Sequence, residues 1–197
     1  MNPVIDAIKS RRSRRKVVED RSPTKEQIEQ ILGAATWAPN HHLTEPWRFV
    51  VISGNARKSL GQAMAESLSA EPSSQGNGTE TIPSKDKLVD LEKTKPMRAP
   101  VLITLILSPQ LQRGALPQEE TLACGAALQN MLLAAHSLGL GAAVKTGKSA
   151  YSKEVRAYLG LRSEESVAGF VYLGYPDGSP PTGKRSGLAA KVEWRES

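Results

Sequence analysis

The chain has 197 residues, of which 39% are hydrophobic and 23% charged, a composition that is typical of globular proteins and excludes a disordered or fibrous one. This length suffices for one sizeable hydrophobic core, so a single domain over residues 1–197 is predicted. The formal net charge of +6 favours acidic partners such as nucleic acid, an anionic membrane or a phosphorylated small molecule.

Cysteine content and apolar runs indicate the compartment. Cys124 is the only cysteine, which excludes an intrachain disulfide and favours a reducing cytoplasm. The first residues lack the apolar run of a signal peptide, and no run approaches the roughly 18 apolar residues of a membrane span. We therefore expect a cytoplasmic protein with no membrane partner.

The first predicted element is a short amphipathic helix that begins at Asn2-Pro3, with Asn2 as its N-cap. It leads into the basic run Arg11-Arg12-Ser13-Arg14-Arg15-Lys16, which holds five cations in six residues. The helix dipole would explain one or two cations at this end of a helix, not five. So much charge must face water or a concentrated anion such as a phosphate.

A second helix is predicted over residues 24–37, because Thr24 and Gln27 fit a capping box and apolar residues follow at helical spacing. Pro39 forces the chain out of the helix. An irregular polar loop, residues 40–46, then leads into a predicted strand over residues 47–52, rich in aromatic and β-branched residues.

Residues 55–68 have helical character, and the polar stretch 69–87 has the composition of a mobile loop. An insertion of this length is about as often a functional lid as a surface loop without function. The apolar run Val101–Leu107 is strand-length. The longest apolar helix is predicted over residues 119–138, and its many alanines suit a central helix or a subunit interface.

The remaining predicted elements are a short strand at 142–144, a basic turn at 145–148, a helix at 152–159, a strand at 167–175 and an extended basic tail. This order of elements suits α+β and α/β folds equally.

Several familiar motifs are absent. Gly139-Leu140-Gly141 follows a helix instead of a strand and lacks the third glycine of a dinucleotide fingerprint, and Gly183-Lys184-Arg185-Ser186 lacks the spacing of a phosphate loop. The three histidines do not form a ligand cluster, so no metal is predicted. No nucleophile elbow is present either.

The basic run offers a different arrangement. In an extended segment Arg11, Ser13 and Arg15 would present two guanidinium groups and a hydroxyl to one phosphate. A solvated charge run would be the commoner interpretation of this segment alone. The second basic cluster at Lys184-Arg185 and the loop before Pro46-Trp47 favour a phosphate ligand.

Four segments in this order resemble the nitroreductase family of flavin mononucleotide (FMN) enzymes. The family's Arg-Arg-Ser-x-Arg segment is matched by residues 11–15, and its Ala-Pro-Ser-x-x-Asn-x-Gln-Pro-Trp-like segment is matched in part by residues 38–47. Thr146-Gly147 matches its glycine-rich turn, and Lys184-Arg185 with Val192-Glu193-Trp194 matches its ending. The resemblance covers nearly the whole chain.

The resemblance implies an α+β fold with a mainly antiparallel central sheet flanked by helices, and a homodimer with FMN at the interface. The cofactor-binding residues that it implies fall into four groups. Arg11 and Ser13, helped by Lys184 or Arg185, would hold the flavin phosphate, whereas Arg12 and Arg15 would reach the ribityl chain and the pyrimidine edge. Thr146 or Gly147 would offer a backbone N–H to the redox-active ring nitrogen, and the partner subunit would contribute Pro39, Asn40, His41 and Leu43.

The activity implied is hydride transfer from NADH or NADPH to a nitroaromatic, a quinone or a related acceptor by a ping-pong mechanism. The flavin carries the chemistry, so no catalytic residue is predicted, although His41 is a candidate substrate contact. Asn40-His41 replaces the usual serine pair, Leu43 a common Asn and Glu45 a common Gln. These departures resemble the smaller, divergent branch of the family and leave the acceptor open.

Two other functions stay open at this point. The altered loop at 40–45 suits an FMN-binding protein with little reductase activity, a sensor or a store. The high net charge suits a nucleic-acid binder that uses the basic run, but no aromatic residues interleave with these cations and no recognition motif is present. We therefore expect a small-molecule acceptor and no nucleic acid as partner.

Overall fold

The computed structural model describes residues 2–70, 84–110 and 114–196. These residues form ten helices and strands, in chain order α1 Pro3–Ser10, α2 Lys25–Thr36, β1 Trp47–Ser53, α3 Ala56–Ala70, α4 Lys85–Thr94, β2 Val101–Leu107, α5 Pro117–Ser137, β3 Gly141–Lys145, α6 Lys153–Tyr158 and β4 Ser166–Gly174. Short 3-10 turns cover His41–Leu43, Lys95–Arg98, Lys148–Tyr151 and Ala189–Lys191.

Local capping explains where the first two helices begin. The Asn2 side chain accepts hydrogen bonds from the backbone N–H groups of Val4 and Ile5. Thr24 and Gln27 form the reciprocal capping box of α2, with distances of 3.0 and 3.2 Å. Both predicted helix starts are confirmed.

The four strands form one sheet in the order β1-β2-β4-β3, and every neighbouring pair is antiparallel. β2 and β4 lie in the middle, and β1 and β3 are the edges. The predicted mainly antiparallel sheet is confirmed. Because an α/β fold has a mainly parallel sheet, the fold class is α+β.

Two cores lie on opposite faces of this sheet. On one face, α2 and α5 bury Ile31, Ala127 and Met131 against Leu105 and Val171. On the other face, α3 and α6 bury Leu60, Met64 and Val155 against Leu102 and Phe170. The sheet is thus the middle of three layers, and its edges are left to border cavities. In the residues that the structure describes, no helix has the length and apolar content needed to cross a membrane.

The predicted loop at 69–87 is wrong at both ends. The backbone of α3 is helical through Ala70, and α4 begins at Lys85. α4 escaped prediction because its sequence is mostly polar, whereas the structure stabilises it through close packing on α3, where a Cβ on Gly61 would overlap the Lys93 carbonyl. Residues 71–83 lie outside the described part of the chain, so there the loop stays a prediction.

The basic run lies along the exposed edge of β3. Arg14 N–H donates to the Ala142 carbonyl at 2.9 Å, and Val17 forms an isolated bridge with Pro176. Gly141 permits this close approach, since a Cβ there would lie 2.8 Å from the Arg14 Cβ. The run is therefore fixed to the sheet, with its side chains beside the cavities at that edge.

Candidate functional site

The first cavity, of about 460 Å³, is bordered by cations from two distant segments. Lys9, Arg11 and Arg12 come from the start of the chain, and Arg185 comes from the tail. Arg185 of the predicted Lys184-Arg185 pair therefore lies at the same cavity as Arg11 and Arg12 of the basic run. Lys184 is exposed, and its carbonyl accepts a hydrogen bond from Arg185 Nη1 at 2.8 Å.

Arg11 is half-buried in this cluster, and its Nε and Nη1 atoms are buried without a hydrogen-bond partner in the described residues. Burial lowers the pKa of Arg11, and the nearby charges of Arg12 and Arg185 lower it further. A guanidinium group with unpaired donors among other cations is an arrangement that an oxyanion satisfies. The cluster therefore fits a phosphate group.

Arg12 is held in place by its own segment and by the tail. Its Nη1 donates to the carbonyls of Lys9 and Arg11 at 2.5 and 2.9 Å. A Cβ on Gly183 would overlap the Arg12 guanidinium, which would then have to shift, so the tail passes directly over this side chain. This contact explains how the tail reaches the basic run.

A second cavity, of about 430 Å³, lies beside the end of β3. Ser13, Arg15 and Thr146 border it, and it includes the buried side chains of Phe170 and Tyr172 on β4. Arg11 borders the first cavity and Ser13 the second. Their predicted joint contact with one phosphate stays a prediction.

Gly147 follows this strand end with φ of +144°, a value that favours glycine. Its carbonyl accepts a hydrogen bond from Ala150 N–H at 3.0 Å, which starts the 3-10 turn Lys148–Tyr151. The turn is therefore compact directly after Thr146, at the border of the second cavity. The assignment of its backbone N–H to a flavin nitrogen stays a prediction.

Four cations border the second cavity, namely Arg15, Lys95, Arg98 and Lys145. Lys145 Nζ lies 4.1 Å from the centre of the Tyr172 ring, a cation–π contact. Burial lowers the pKa of Lys145, and the charges of Arg98, Arg15 and Lys95 lower it further. This side of the cavity is strongly positive.

Of these four cations, the sequence predicts only Arg15 as a site residue. Lys95 and Arg98 lie in the 3-10 turn after α4, a helix that was itself not predicted, and no local pattern marks them. Lys145 had a signal, because it begins the exposed basic turn before Thr146. Only the folded chain brings these residues to one cavity.

The loop at 38–45 lies beside the N-terminal end of α5. His41 Nδ1 is 2.8 Å from Glu119 Oε2, and the His41 and His42 rings stack with centroids 3.9 Å apart. The Asn40 side chain accepts a hydrogen bond from Glu45 N–H at 2.9 Å. Pro39 is exposed, and Leu43 is 74% exposed. The loop is thus braced within its own chain, with apolar surface directed at solvent.

The predicted residues therefore fall into two groups that one chain keeps apart. Glu119, near the start of α5, contacts the loop, and His136, near its end, contacts Ser10 Oγ at 3.0 Å. At 1.5 Å per residue the helix from Glu119 to His136 is about 25 Å long. Gln129, which borders the first cavity beside Arg11, lies about 15 Å along the helix from Glu119, so the loop with Pro39, Asn40, His41 and Leu43 lies apart from the Arg11 cluster of its own chain.

Metal-ligand geometry is absent from residues 2–70, 84–110 and 114–196: no group of three or more His, Cys, Asp and Glu side chains there is arranged to hold a metal ion. The cavities are bordered mainly by cations and apolar residues, which are poor metal ligands.

Known proteins resemble this chain over nearly its full length. YdjA of Escherichia coli K12, a candidate NAD(P)H nitroreductase, is 30% identical over 172 residues, which cover 87% of each chain. The crystal structure of a nitroreductase-like family protein from Bacillus cereus has a TM-score of 0.81 at 28% identity, covering 100% of this chain and 98% of that one.

A nitroreductase from Bacteroides fragilis, crystallised with bound FMN, has a TM-score of 0.72 at 25% identity and covers 100% of both chains. The sequence profile of the Nitroreductase family matches residues 8–175. This match includes the basic run, the 38–47 loop and the Thr146-Gly147 turn, the segments on which the resemblance was based. The chain therefore belongs to the nitroreductase family.

Proposed function

We propose that this protein is an FMN-dependent oxidoreductase that transfers hydride from NADH or NADPH to a nitroaromatic, a quinone or a related acceptor. The Arg11 guanidinium carries the proposal, because it is half-buried beside other cations and its own Nε and Nη1 donors are unpaired in the described residues. The flavin of the B. fragilis relative and the name of the E. coli relative support the choice of cofactor and hydride donor.

Bound FMN would supply the redox chemistry of a ping-pong mechanism between NAD(P)H and the acceptor. The residues of the chain bind and orient. Arg11, Arg12 and Arg185 would hold the phosphate, with Lys184 close by on the tail. Ser13, Arg15, Thr146 and Gly147 would surround the ring at the end of β3.

The reaction balances without a nucleophile from the protein. Reduction of a nitro group to a nitroso group takes two electrons and two protons and releases one water. The hydride supplies both electrons and one proton, and solvent supplies the second proton. His41 is available as an acceptor contact, with Glu119 at 2.8 Å holding its ring in place.

We also propose that the functional unit is a homodimer in which Pro39, Asn40, His41 and Leu43 of one subunit complete the site of the other. The length of α5 between the loop and the Arg11 cluster supports this arrangement. The exposed apolar side chains of Val4, Ile5 and Ile8 support it as well, because they lie within two turns of α1 and an exposed apolar patch marks an interface. Trp37, Leu122, Leu188 and Trp194 are also exposed.

The absorption spectrum of the purified protein tests the function. We expect flavin bands that NADH or NADPH bleaches under anaerobic conditions and that a nitroaromatic or a quinone restores. A colourless protein that binds no added FMN would contradict the proposal. A flavoprotein that NAD(P)H reduces but that no acceptor reoxidises would instead be a flavin store or sensor.

A further inference from the structure

The second cavity carries more positive charge than a flavin ring requires. Its cations come from three separate segments: Arg15 from the basic run, Lys95 and Arg98 from the turn after α4, and Lys145 from the end of β3. An oxidised flavin ring is neutral, and a reduced one carries at most one negative charge. One cation at the ring's edge would therefore balance the cofactor.

Among the described residues one carboxylate, Glu92, pairs with these cations. Its Oε1 pairs with Lys95, and its Oε2 accepts a hydrogen bond from Ser149 Oγ at 2.9 Å. Elsewhere in the described part of the chain, the side chains of Arg15, Arg98 and Lys145 have no ion-pair or hydrogen-bond partner. Lys145 Nζ instead contacts the Tyr172 ring. Three cations thus border one cavity without an anion between them.

An anion bound between these cations would relieve their mutual repulsion. Burial lowers the pKa of Lys145, and the charges of Arg98, Arg15 and Lys95 lower it further. Arg98 and Arg15 are exposed, so they are free to close on a ligand, whereas Lys145 is half-buried on Tyr172. The apolar side chains of Met64, Phe170 and Tyr172 meanwhile give the cavity a wall suited to a flat ring.

We propose that Arg98 and Lys145 bind an oxyanion of the electron acceptor, while Arg15 serves the flavin ring, so that the protein prefers aromatic acceptors bearing a carboxylate or a sulfonate. This inference rests on the proposed function, because it assigns the substrate class of the same site. Flat aromatic substrates with one anionic substituent match both the apolar wall and the cations. Arg98 is then a residue that determines specificity, not a catalytic one.

The test compares acceptors that differ only in charge. Wild-type protein and Arg98→Gln are assayed with 4-nitrobenzoate and 4-nitrobenzamide, and the ratio of their kcat/KM values is taken for each protein. Because a change in flavin potential or content affects both acceptors, it cancels in the ratio. A matched quinone pair, 1,4-naphthoquinone-2-sulfonate and 2-methyl-1,4-naphthoquinone, repeats the comparison with other chemistry.

We expect Arg98→Gln to lower the anion-to-neutral ratio about tenfold, the typical effect of losing one charge-assisted hydrogen bond. Lys145→Met should lower it too, and added salt should reduce the preference of the wild type. The matched control is Lys58→Gln, an exposed cation on α3 that borders neither cavity, for which the ratio should not change.

Other results overturn the inference. An unchanged ratio in Arg98→Gln, or an equal loss with both acceptors, would mean that the cation acts on the flavin or on nothing in the reaction. A change confined to the ratio of NADPH to NADH efficiency would assign the anion to the 2′-phosphate of the donor. A wild-type protein that reduces neither member of either pair would remove the proposed function, and this assignment with it.

Discussion

Two nitrogen atoms of the Arg11 guanidinium are buried without a partner among the described residues. A buried donor left unpaired destabilises the fold by about 1–3 kcal/mol, so these two atoms do not add to the stability of the chain. The cost is recovered when an oxyanion binds. Arg11 is thus better explained by a ligand than by the stability of the chain alone.

Arg11→Gln should therefore weaken FMN binding about 10- to 100-fold, since a hydrogen bond to a charged group contributes about 1.5–3 kcal/mol. Quenching of flavin fluorescence on titration into apoprotein measures this change. The free energy of unfolding of the apoprotein should not fall in this variant, because no paired contact is lost. A destabilised apoprotein with unchanged FMN affinity would make Arg11 structural.

Lys16→Gln is the matched control for this experiment. Lys16 belongs to the same basic run but is exposed and borders neither of the two cavities described above. Its removal lowers the net charge by the same amount, so it reports the general effect of charge on the affinity. We expect less than a twofold change in the FMN dissociation constant.

Glu165 is fully buried and ties the start of β1 to the turn before β4. Its carboxylate accepts hydrogen bonds from Arg48 Nε and Nη2 at 3.0 and 2.8 Å, and from Arg162 N–H and Nη2 at 2.9 and 3.0 Å. The Arg48 hydrogen bonds, with those of Arg162, lower the pKa of Glu165 to about 2. The stabilisation is complete above the unfolded-state pKa of about 4.3 and is lost as the pH falls towards 2.

Glu165→Gln should accordingly lower the free energy of unfolding by roughly 3 kcal/mol at pH 7, and the difference should shrink as the pH falls from about 4.5 to 2. Urea denaturation at a series of pH values measures both quantities. Glu164→Gln, at the neighbouring position, removes an exposed ion pair with Arg162 and should cost less than about 1 kcal/mol. A pH-independent difference between Glu165→Gln and wild type would show that the ionised carboxylate is not the cause.

The contact between α3 and α4 depends on Gly61. A Cβ at this position would overlap the carbonyl of Lys93, whereas at Gly33 on α2 no atom lies within 4 Å of the added carbon. Both glycines are inside helices, where alanine is intrinsically preferred. The two sites thus separate helix propensity from packing.

Gly61→Ala should lower the free energy of unfolding by about 1–3 kcal/mol, because α4 must move away from α3. Gly33→Ala should raise it by about 0.5–1 kcal/mol. Thermal unfolding followed by circular dichroism gives the sign of each change. Equal stabilisation by both substitutions would mean that the close approach of α4 is absent in solution.

The elements differ in how far the sequence predicted them. Capping at Thr24 and the apolar run at Val101–Leu107 are local signals, so α2 and β2 were predicted nearly to the residue. α4 is polar and depends on a single glycine of another helix, which no local pattern reveals. The same reason applies to the site: the basic run was visible, but Lys95 and Arg98 reach their cavity only through α4.

The two groups of predicted site residues lie at separate positions along α5. Along this helix Glu119, which contacts the loop, lies about 15 Å from Gln129, which borders the cavity of the Arg11 cluster, so one chain presents two incomplete halves of the proposed site. A twofold interface places the same two patches of both subunits against each other. Each flavin would then contact Arg11 of one subunit and Leu43 of the other.

Subunit complementation tests this arrangement. Arg11→Gln damages one half of the proposed site, and Leu43→Asp puts a charge into the other half at an exposed position whose φ of +51° aspartate tolerates. In a mixed dimer one site carries both defects and the other carries none. Random assembly makes half of the dimers mixed, so co-expression should restore about one quarter of wild-type activity. Each variant alone is the control, and activity equal to the average of the two variants would place the complete site within a single chain.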